Sequence, residues 1–457
     1  MRAESASTLV LWFGASALTL SRAEIGETTS LARWRARLCA LTGIAPDLQY
    51  LCWVSWCSDL EPPLRVGPEM RADGGLPVEE ALPALVALAE ARAELLGPAR
   101  GSSHSSLLLL RRDESSAKSL AFMMRVLQQW QQARCLDERA VEQVRASGVV
   151  PVARLEQAAE DHLSSIVRSE LRDEAASGDA AEISGAFPIT EICLTAAVVV
   201  EALRWFKREH FQWVHRPACE RCGEEAVRLV GLDAPTELEA VHAAGRVEVY
   251  ECSPSERGCG QLLRFPRYND AVYLLTQGRR GRCGEWAQAF ALALRVCSVP
   301  RVRLVFDFED HIWTEFWSES SEMWIHADPC EEVLHEPHLY SRGWGKALSW
   351  VIAVEVGRDA CYLEDRSRVY IPSEGWPSMK QRQERVAGDI SVATGLLRLL
   401  SALSGGEFHE ATHATVVEPP EASASGSERQ TSLRPRQSGA LEWIASRGEN
   451  GPAPTNP

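Results

Sequence analysis

Two pairs of cysteines constrain the fold of the middle of this chain more than any other sequence feature. Two residues separate Cys219 from Cys222, and Cys252 and Cys259 follow with six residues between them. The first spacing is typical of thiolates that bind one ion, and four thiolates around Zn²⁺ form a closed tetrahedral site. The sequence therefore predicts a structural zinc site that brings both pairs to one point, although the longer second spacing is unusual. The alternative is four ordinary thiols in a reducing compartment.

Composition limits the class of protein. The 457 residues correspond to two to four domains at about 100–200 residues each, and 45% hydrophobic residues suffice for a packed core. The net charge of −15 argues against nucleic-acid binding, which needs a basic surface. Thirteen cysteines spread over a long chain do not fit a small disulfide-stabilised secreted domain. No segment approaches about 18 consecutive apolar residues, so no membrane span is predicted.

A fifth cysteine, Cys283, has the surroundings of a nucleophile. It follows the glycine- and arginine-rich run GRRGR and precedes apolar residues at helical spacing, so a helix is predicted to begin just after it. A helix N-terminus and the nearby Arg280 and Arg282 both favour the reactive thiolate form of a cysteine. Cys297 and Cys330 lack this setting and are predicted to be buried.

Two later segments are predicted to carry partners for Cys283. DHIWTEFW and EMWIHAD alternate as strands do, with a turn between them. If this hairpin is symmetric, Trp313 lies opposite Asp328, and His311 is the diagonal neighbour of Asp328 on the same face. A cysteine at a helix tip facing a histidine and an aspartate is the arrangement of papain-like thiol catalysis. His326 shares that face and remains an alternative base, and a purely structural role for these polar residues also remains open.

Several runs of sequence resemble the cytoplasmic peptide:N-glycanases, a family of the transglutaminase-like superfamily. They occur in that family's order between residues 203 and 353: LRWFKREHFQWV, CERCG, RFPRYND, GRCGEWAQAF, DHIWTEFW, WIHADPCEEV and LYSRGWGKALSWVIA. The resemblance implies a papain/transglutaminase-like α+β core with Cys283 as nucleophile, His311 as general base and Asp328 as the orienting carboxylate. It also implies that the four cysteines bind zinc, although the family's second pair normally has two intervening residues.

The same resemblance carries expectations about substrate and partners. It implies an amidase that removes intact N-glycans from misfolded glycoproteins and converts the glycosylated asparagine to aspartate. Trp313 and Trp344 match aromatic residues that line the chitobiose end of the family's glycan cleft. Glu285 and Trp286 of the GRCGEW run are expected to contact substrate as well. The expected location is cytoplasmic, with the nucleus as a second compartment, and a proteasomal ubiquitin-receptor shuttle protein is an expected partner.

Other functions fit the same core. Another transglutaminase-like acyl-transferase or a protease would use the same thiol chemistry. A non-catalytic glycan-binding protein would retain the fold, and a ubiquitin-pathway adaptor would rely on the N-terminal region. The DHIW and RGWGK runs argue against the first alternative, and the intact cysteine, histidine and aspartate argue against the second.

Local patterns predict the domain organisation. Residues 1–70 contain a predicted hairpin, a helix and a further strand, an order that resembles ubiquitin-like domains, as in plant-type members of the family. The other predicted ranges are a linker with a helix at 71–115, a helical region at 116–200, the catalytic core at 201–378 with its zinc subdomain at about 217–262, and a C-terminal helix with a flexible tail at 379–457.

Overall fold

The computed structural model of this chain contains two compact units. One comprises residues 1–131, 356–364 and 377–410, and the other comprises residues 132–355, 365–376 and 411–457. The residues that the structure describes are 8–13, 16–21, 36, 38–40, 42–56, 64–66, 104–111, 113–133, 136–177, 194–225, 227–252, 258–356 and 361–410.

Strands and helices occur in both units. The strands are β1 Thr8–Phe13, β2 Ser16–Ser21, β3 Gln49–Trp56, β4 Leu64–Val66, β5 His104–Arg111, β6 Gln212–Trp213, β7 Val227–Asp233, β8 Arg246–Cys252, β9 Leu262–Arg267, β10 Arg280–Gly281, β11 Val302–Asp307, β12 Ile312–Ser318, β13 Met323–Asp328, β14 Val333–Leu334, β15 Val351–Val356, β16 Cys361–Asp365 and β17 Phe408–His409. The helices are α1 Glu114–Ala133, α2 Glu138–Ser147, α3 Val152–Ser177, α4 Leu194–Trp205, α5 Glu237–Val241, α6 Ala271–Tyr273, α7 Cys283–Val296, α8 Ser367–Tyr370, α9 Trp376–Ala387 and α10 Ile390–Leu403.

The first unit contains a mixed sheet with the strand order β2-β1-β5-β3-β4. β1 and β2 form an antiparallel hairpin, β1 runs parallel to β5, and β3 is antiparallel to both β5 and β4. The predicted hairpin and the strand after the helix are confirmed, and the described residues of the predicted helix, at 36 and 38–40, are helical. The boundary predicted at residue 70 leaves out β5, which is the central strand of this sheet.

Two helices from the C-terminal part of the chain belong to the same unit. Gly388, between α9 and α10, has φ +73°, and a Cβ there would lie 2.1 Å from the backbone oxygen of Ser115, so glycine is required. The Ser119 hydroxyl donates to the Ala387 carbonyl at 2.6 Å and joins α1 to the end of α9. The predicted C-terminal helix is therefore confirmed. Residues 411–457, which include the predicted flexible tail, lie outside the described residues.

No single helix among the described residues is both long enough and apolar enough to cross a membrane. Ser373–Ala387 and Ile390–Leu403 are long and apolar enough only when they are taken together, and the chain bends by 66° between them. The second of these is α10, which packs against β1 and β5 and whose leucines are almost completely buried.

The second unit is built around an antiparallel sheet with the order β14-β13-β12-β11-β15. Helix α7 packs on β11 and β12, and its alanines at 287, 289, 291 and 293 have no exposed surface. Every residue of β11 is buried. The charged side chain of Arg303 therefore lies inside the protein beside Leu304.

Helices α2 to α4 of this unit confirm most of the helical region predicted after residue 116. The Asp137 carboxylate caps α2 by accepting the Ala140 N–H at 2.8 Å, and Gly148 ends the helix with φ 65°. α2 packs against α7, and α3 packs against α4. Of these helices, α2 and α4 contact the helix that carries Cys283.

The range predicted as a zinc subdomain contains a small antiparallel sheet with the order β7-β8-β9. Its short helix α5 begins with a capping box, in which Thr236 Oγ1 accepts the Glu239 N–H at 3.3 Å and Glu239 accepts the Thr236 N–H at 2.7 Å. The core of the subdomain consists of Cys219, Val227, Tyr250, Cys252, Leu263 and Phe265. Two of the four cysteines are therefore part of this core.

Candidate active site

Cys283 is the first residue of α7, and Gly281 and Glu285 shape the turn before it. Glu285 Oε2 accepts a hydrogen bond from the backbone N–H of Arg282 at 3.1 Å. The Glu285 side chain comes so close to residue 281 that a Cβ there would lie 2.4 Å from Glu285 Cβ, so glycine is required. Cys283 is half-buried at this helix tip.

His311 and Asp328 lie on neighbouring strands and are hydrogen-bonded to each other. His311 immediately precedes β12, Asp328 ends β13, and Thr314 pairs with Ala327, which is the register that a symmetric hairpin predicts. His311 Nε2 lies 2.8 Å from Asp328 Oδ2, and both side chains are buried. The Cys283 side chain is also a hydrogen-bond partner of His311.

Electrostatic attraction in this group outweighs the effect of burial. Burial disfavours the imidazolium, but the charge of Asp328 and the contact with Cys283 raise the pKa of His311 to about 10. Burial also disfavours the carboxylate, yet the charge and hydrogen bond of His311 lower the pKa of Asp328 to about 2. Both partners are therefore charged at neutral pH. His311 holds a proton that a leaving group can take, and Asp328 fixes the orientation of the ring.

His326, the alternative base, has a different set of contacts. Its Nδ1 accepts the backbone N–H of Glu336 at 3.2 Å, so Nε2 carries the proton and donates it to the Tyr340 hydroxyl at 2.7 Å. The Tyr340 hydroxyl in turn donates to Asp328 Oδ2 at 2.8 Å. Burial lowers the pKa of His326 to about 4, so this ring is neutral. His311 is therefore the charged ring that is hydrogen-bonded directly to Asp328.

The four side chains predicted to contact substrate are buried, and their contact with substrate stays a prediction. The exposed fractions are 0% for Trp313, 1% for Trp344, 3% for Trp286 and 5% for Glu285. The Trp313 ring packs 4.4 Å from the Tyr340 ring, and its Nε1 donates to the Tyr370 hydroxyl at 2.8 Å. The Trp344 ring lies 5.0 Å from His311. These two tryptophans pack around His311, and both rings are buried.

A buried ion pair that was not predicted holds the segment before β12. Lys346 Nζ donates to Asp307 Oδ2 at 2.7 Å, and Asp307 Oδ1 accepts the backbone N–H of His311 at 2.9 Å. The turn between these residues includes Asp310 in the left-handed region, with φ 75°. Lys346 belongs to the RGWGK run, so one structural role of that run is to fix the backbone from which His311 projects.

A second buried group that was not predicted surrounds Glu315 on β12. Glu315 accepts hydrogen bonds from Arg303 Nε at 2.7 Å, from the Tyr370 hydroxyl at 2.7 Å and from Arg366 at 3.2 Å. Burial disfavours the carboxylate, but the two arginines lower the pKa of Glu315 to about 2. The one sequence signal was a charged residue inside each of two otherwise apolar strands, which indicates a buried partner.

The structure brings the four cysteines of the predicted metal site together. Their sulfur atoms all lie within 4.8 Å of one another. The Cys219 and Cys259 sulfurs are 3.5 Å apart, and the Cys222 and Cys252 sulfurs are 3.6 Å apart. Four thiolates at the usual Zn–S distance of about 2.3 Å would be about 3.8 Å apart in a tetrahedron. The donor set and its spacing therefore fit a structural metal ion.

The electrostatics of the cluster also indicate a cation. Backbone N–H groups of Cys222 and Arg221 help to lower the pKa of Cys219 to about 7. The Cys259 backbone favours the thiolate of Cys252, but burial and the neighbouring sulfurs outweigh it and raise the pKa of Cys252 to about 12. Four sulfurs this close cannot all ionise unless a positive charge binds between them.

Part of this chain is similar in sequence to known proteins. A sequence profile described as the transglutaminase-like superfamily matches residues 233–329, the range that contains Cys283, His311 and Asp328. A peptide-N(4)-(N-acetyl-beta-glucosaminyl)asparagine amidase of Yarrowia lipolytica is 39% identical over 258 residues, which cover 56% of this chain and 69% of that protein. The protein of the same name from Saccharomyces cerevisiae is 35% identical, covering 56% of this chain and 71% of its own length.

A plant protein shows the same degree of similarity over a smaller share of its length. The Arabidopsis thaliana protein of the same name is 36% identical over 264 residues, covering 56% of this chain and 34% of the plant protein. Among solved structures, a complex of Rad4 and Rad23 bound to a 6-4 photoproduct UV lesion aligns with a TM-score of 0.31 at 12% identity, covering 63% of this chain and 58% of that one. That likeness is too slight to carry an argument.

Proposed function

This chain belongs to the family of peptide-N(4)-(N-acetyl-beta-glucosaminyl)asparagine amidases, hydrolases with a transglutaminase-like core, and we propose that Cys283 is its nucleophile. The bond cleaved is the amide between N-acetylglucosamine and the asparagine side chain. The observation that supports this assignment is the continuous contact from Cys283 through His311 to Asp328 at the tip of α7. His311 acts as general acid and base, and Asp328 orients its ring.

The first half of the reaction transfers the acyl group to sulfur. The Cys283 thiolate attacks the carbonyl carbon of the asparagine side chain and forms a C–S bond. The C–N bond then breaks, and the His311 imidazolium gives its proton to the departing nitrogen, so the products are a glycosylamine and a thioester. Backbone N–H groups in the first turn of α7 lie where they can stabilise the oxyanion of the tetrahedral intermediate.

The second half of the reaction regenerates the enzyme. Neutral His311 takes a proton from a water molecule, whose oxygen attacks the thioester carbonyl. The C–S bond breaks, the thiolate returns, and an aspartate side chain remains on the polypeptide. The oligosaccharide leaves intact because no glycosidic bond is broken.

The test is deglycosylation of a denatured N-glycosylated protein under reducing conditions with the metal retained. Wild type is expected to remove the glycan and leave aspartate, detected by gel mobility and mass spectrometry, and Cys283→Ala is expected to be inactive but folded. Cys297→Ala is a matched control, because Cys297 lies at the other end of α7, where burial raises its pKa to about 12. A wild type that leaves the glycan attached would refute the enzyme assignment. An active, folded Cys283→Ala would refute the nucleophile.

Zinc is the metal that we propose for the four-cysteine cluster, in a structural role. Four sulfur donors at tetrahedral spacing support this choice, and four protein ligands leave no open position for catalysis. Metal analysis of the purified protein is expected to find about one Zn²⁺ per chain. Iron or no metal in protein purified without chelators would contradict the proposal.

The remaining proposals concern substrate, partner and location. Misfolded glycoproteins stay the proposed substrates, tested by comparing native and denatured forms of one glycoprotein.

The order of hairpin, helix and further strands in one mixed sheet supports a ubiquitin-like N-terminal unit. A proteasomal ubiquitin-receptor shuttle protein as partner, and a cytoplasmic or nuclear location, stay predictions that affinity capture and microscopy can check.

A further inference from the structure

Arg282, the residue before the nucleophile, is held by the small sheet whose strand β8 ends at the metal-site residue Cys252. Its NH1 and NH2 donate to the two oxygens of Glu248 on β8, at 3.0 and 2.8 Å. NH2 also donates to the Tyr250 hydroxyl at 2.9 Å and to the His215 carbonyl at 2.7 Å. The Arg282 guanidinium therefore points into the subdomain, away from the helix that it precedes.

Glu285, in the first turn of α7, is held by the same sheet. Arg267, the last residue of β9, donates from Nε and NH2 to the two oxygens of Glu285, at 2.6 and 2.7 Å. Arg267 NH1 donates to Glu248 at 3.2 Å. Because Glu285 also accepts the backbone N–H of Arg282, two residues of the subdomain hold both sides of the turn that presents Cys283.

The four charges of this network compensate one another inside the protein. The side chains of Glu248 and Glu285 are 6% and 5% exposed, and those of Arg267 and Arg282 are 14% and 19% exposed. Burial disfavours the Glu248 carboxylate, but hydrogen bonds and attraction from Arg282 lower its pKa to about 2. Removal of one member would leave a buried charge uncompensated, which is far more costly than loss of an exposed ion pair.

Arg267 also interacts electrostatically with the nucleophile. Burial disfavours its charge, but attraction to Glu285, to Glu248 and to Cys283 raises the pKa of Arg267. A guanidinium fixed at this position places a positive charge in the electrostatic surroundings of Cys283. The network therefore acts on both the position and the surroundings of the sulfur.

We propose that Glu248, Arg267, Arg282 and Glu285 are positioning residues, through which the four-cysteine subdomain sets the geometry and reactivity of Cys283. The subdomain is then part of the nucleophile's support as well as a separately folded region. The proposal rests on the proposed function only in that Cys283 is the reacting residue. None of the four side chains needs to touch substrate, so their effect is expected on the rate of chemistry and not on binding.

The decisive variant is Glu248→Gln, which keeps the size of the side chain and removes its charge. We expect kcat to fall by about 10- to 100-fold with little change in KM, since small misplacements of reacting groups have effects of that size. Glu248→Asp, which keeps the charge, is expected to recover part of the rate. Zinc content and secondary structure are expected to match wild type in both variants.

A matched control exists on the same sheet. Arg264 on β9 forms a similar multiple contact with Glu239 on α5, at 2.8 and 2.9 Å, but these residues do not contact α7 through any bond that the structure describes. Glu239→Gln therefore breaks an ion pair of the same subdomain without reaching the nucleophile. Its kcat is expected to equal that of wild type.

The rate at which iodoacetamide alkylates Cys283, followed on its own peptide by mass spectrometry, is a readout that needs no glycoprotein. Glu248→Gln is expected to slow this rate, because Arg282 and Arg267 are no longer held and the turn that presents the sulfur loses its fixed position. A folded Glu248→Gln with wild-type kcat and alkylation rate would overturn the proposal, even if its thermal stability were lower. A wild type without amidase activity would refute the proposed function and leave the alkylation test of positioning intact.

Discussion

The active site and the four-cysteine cluster both depend on cysteine side chains, but the surroundings of those cysteines differ. At the active site a single thiol, Cys283, lies at a helix tip beside the imidazolium of His311. In the cluster four thiols face one another within 4.8 Å. The active site supplies its own positive charge, whereas the cluster needs a bound cation to hold its sulfurs as thiolates. The neighbours of a cysteine therefore determine whether it reacts or binds a metal.

The two regions are expected to fail in different ways when they are changed. Substitution in the active site is expected to abolish the reaction and to leave most of the fold unchanged. Substitution in the cluster removes the ion that holds the subdomain together, and its effect on catalysis is indirect. The Glu248 network connects the subdomain to the turn that presents Cys283, so loss of the cluster is expected to lower catalysis through this network.

The largest effect is expected from Asp328→Asn. The neutral amide no longer favours the imidazolium, so kcat is expected to fall by about 10³- to 10⁴-fold. Because Asp328 raises the pKa of His311, its loss lowers that pKa. The alkaline limb of the pH–rate profile, expected near pH 10 in wild type, should therefore move to lower pH. An alkaline limb at its wild-type position in a folded Asp328→Asn would contradict this account, and unchanged zinc content would show that the cluster is unaffected.

The second-largest effect is expected from Cys222→Ser, which removes one ligand of the cluster. We expect loss of the metal and a decrease of several kcal/mol in the free energy of unfolding, since metal binding contributes directly to folding in such sites. Cys39→Ser, at a half-buried free cysteine of the other unit, is the control. Retention of one Zn²⁺ per chain and of the wild-type unfolding temperature in Cys222→Ser would show that this cysteine is not a ligand.

A smaller effect is expected from Tyr340→Phe. This change removes one donor from Asp328 and leaves the Nε2–H of His326 without its acceptor, so kcat is expected to fall about tenfold. Tyr370→Phe removes another buried hydroxyl, one that donates to Glu315, and provides a comparison for lost stability. If both variants lose the same stability and only Tyr340→Phe changes the pH–rate profile, the hydroxyl of Tyr340 supports Asp328. Identical profiles would assign it a purely structural role.

Local patterns in the sequence were sufficient for the features that depend on neighbouring residues. The glycine-rich run before an apolar helix predicted that Cys283 lies at a helix tip, and the alternation of two strands predicted the register that brings His311 near Asp328. The spacing of the cysteines predicted the cluster. In the first two cases the residues lie on one element or on two strands joined by a short turn, and in the third each cysteine pair is recognisable from its own short spacing.

Features that depend on contacts between distant segments were missed or misjudged. Glu248 and Arg282 are 34 residues apart, and Asp307 and Lys346 are 39 residues apart, so no local pattern relates them. The complete burial of Trp313 on β12 was also not predictable, because the identity of an aromatic side chain does not determine its exposure. The central strand β5 of the N-terminal sheet was missed because it follows a long stretch without a strand pattern.

The central claim is that Cys283 is the cysteine that carries out the amidase reaction. The most direct test is alkylation of the native protein with limiting iodoacetamide at neutral pH, with the modification of every cysteine and the residual amidase activity measured together. Cys283 is expected to be modified first, activity is expected to fall in proportion to that modification, and the metal is expected to stay bound. Activity that persists after Cys283 is fully alkylated, or that falls in step with a different cysteine, would contradict the account.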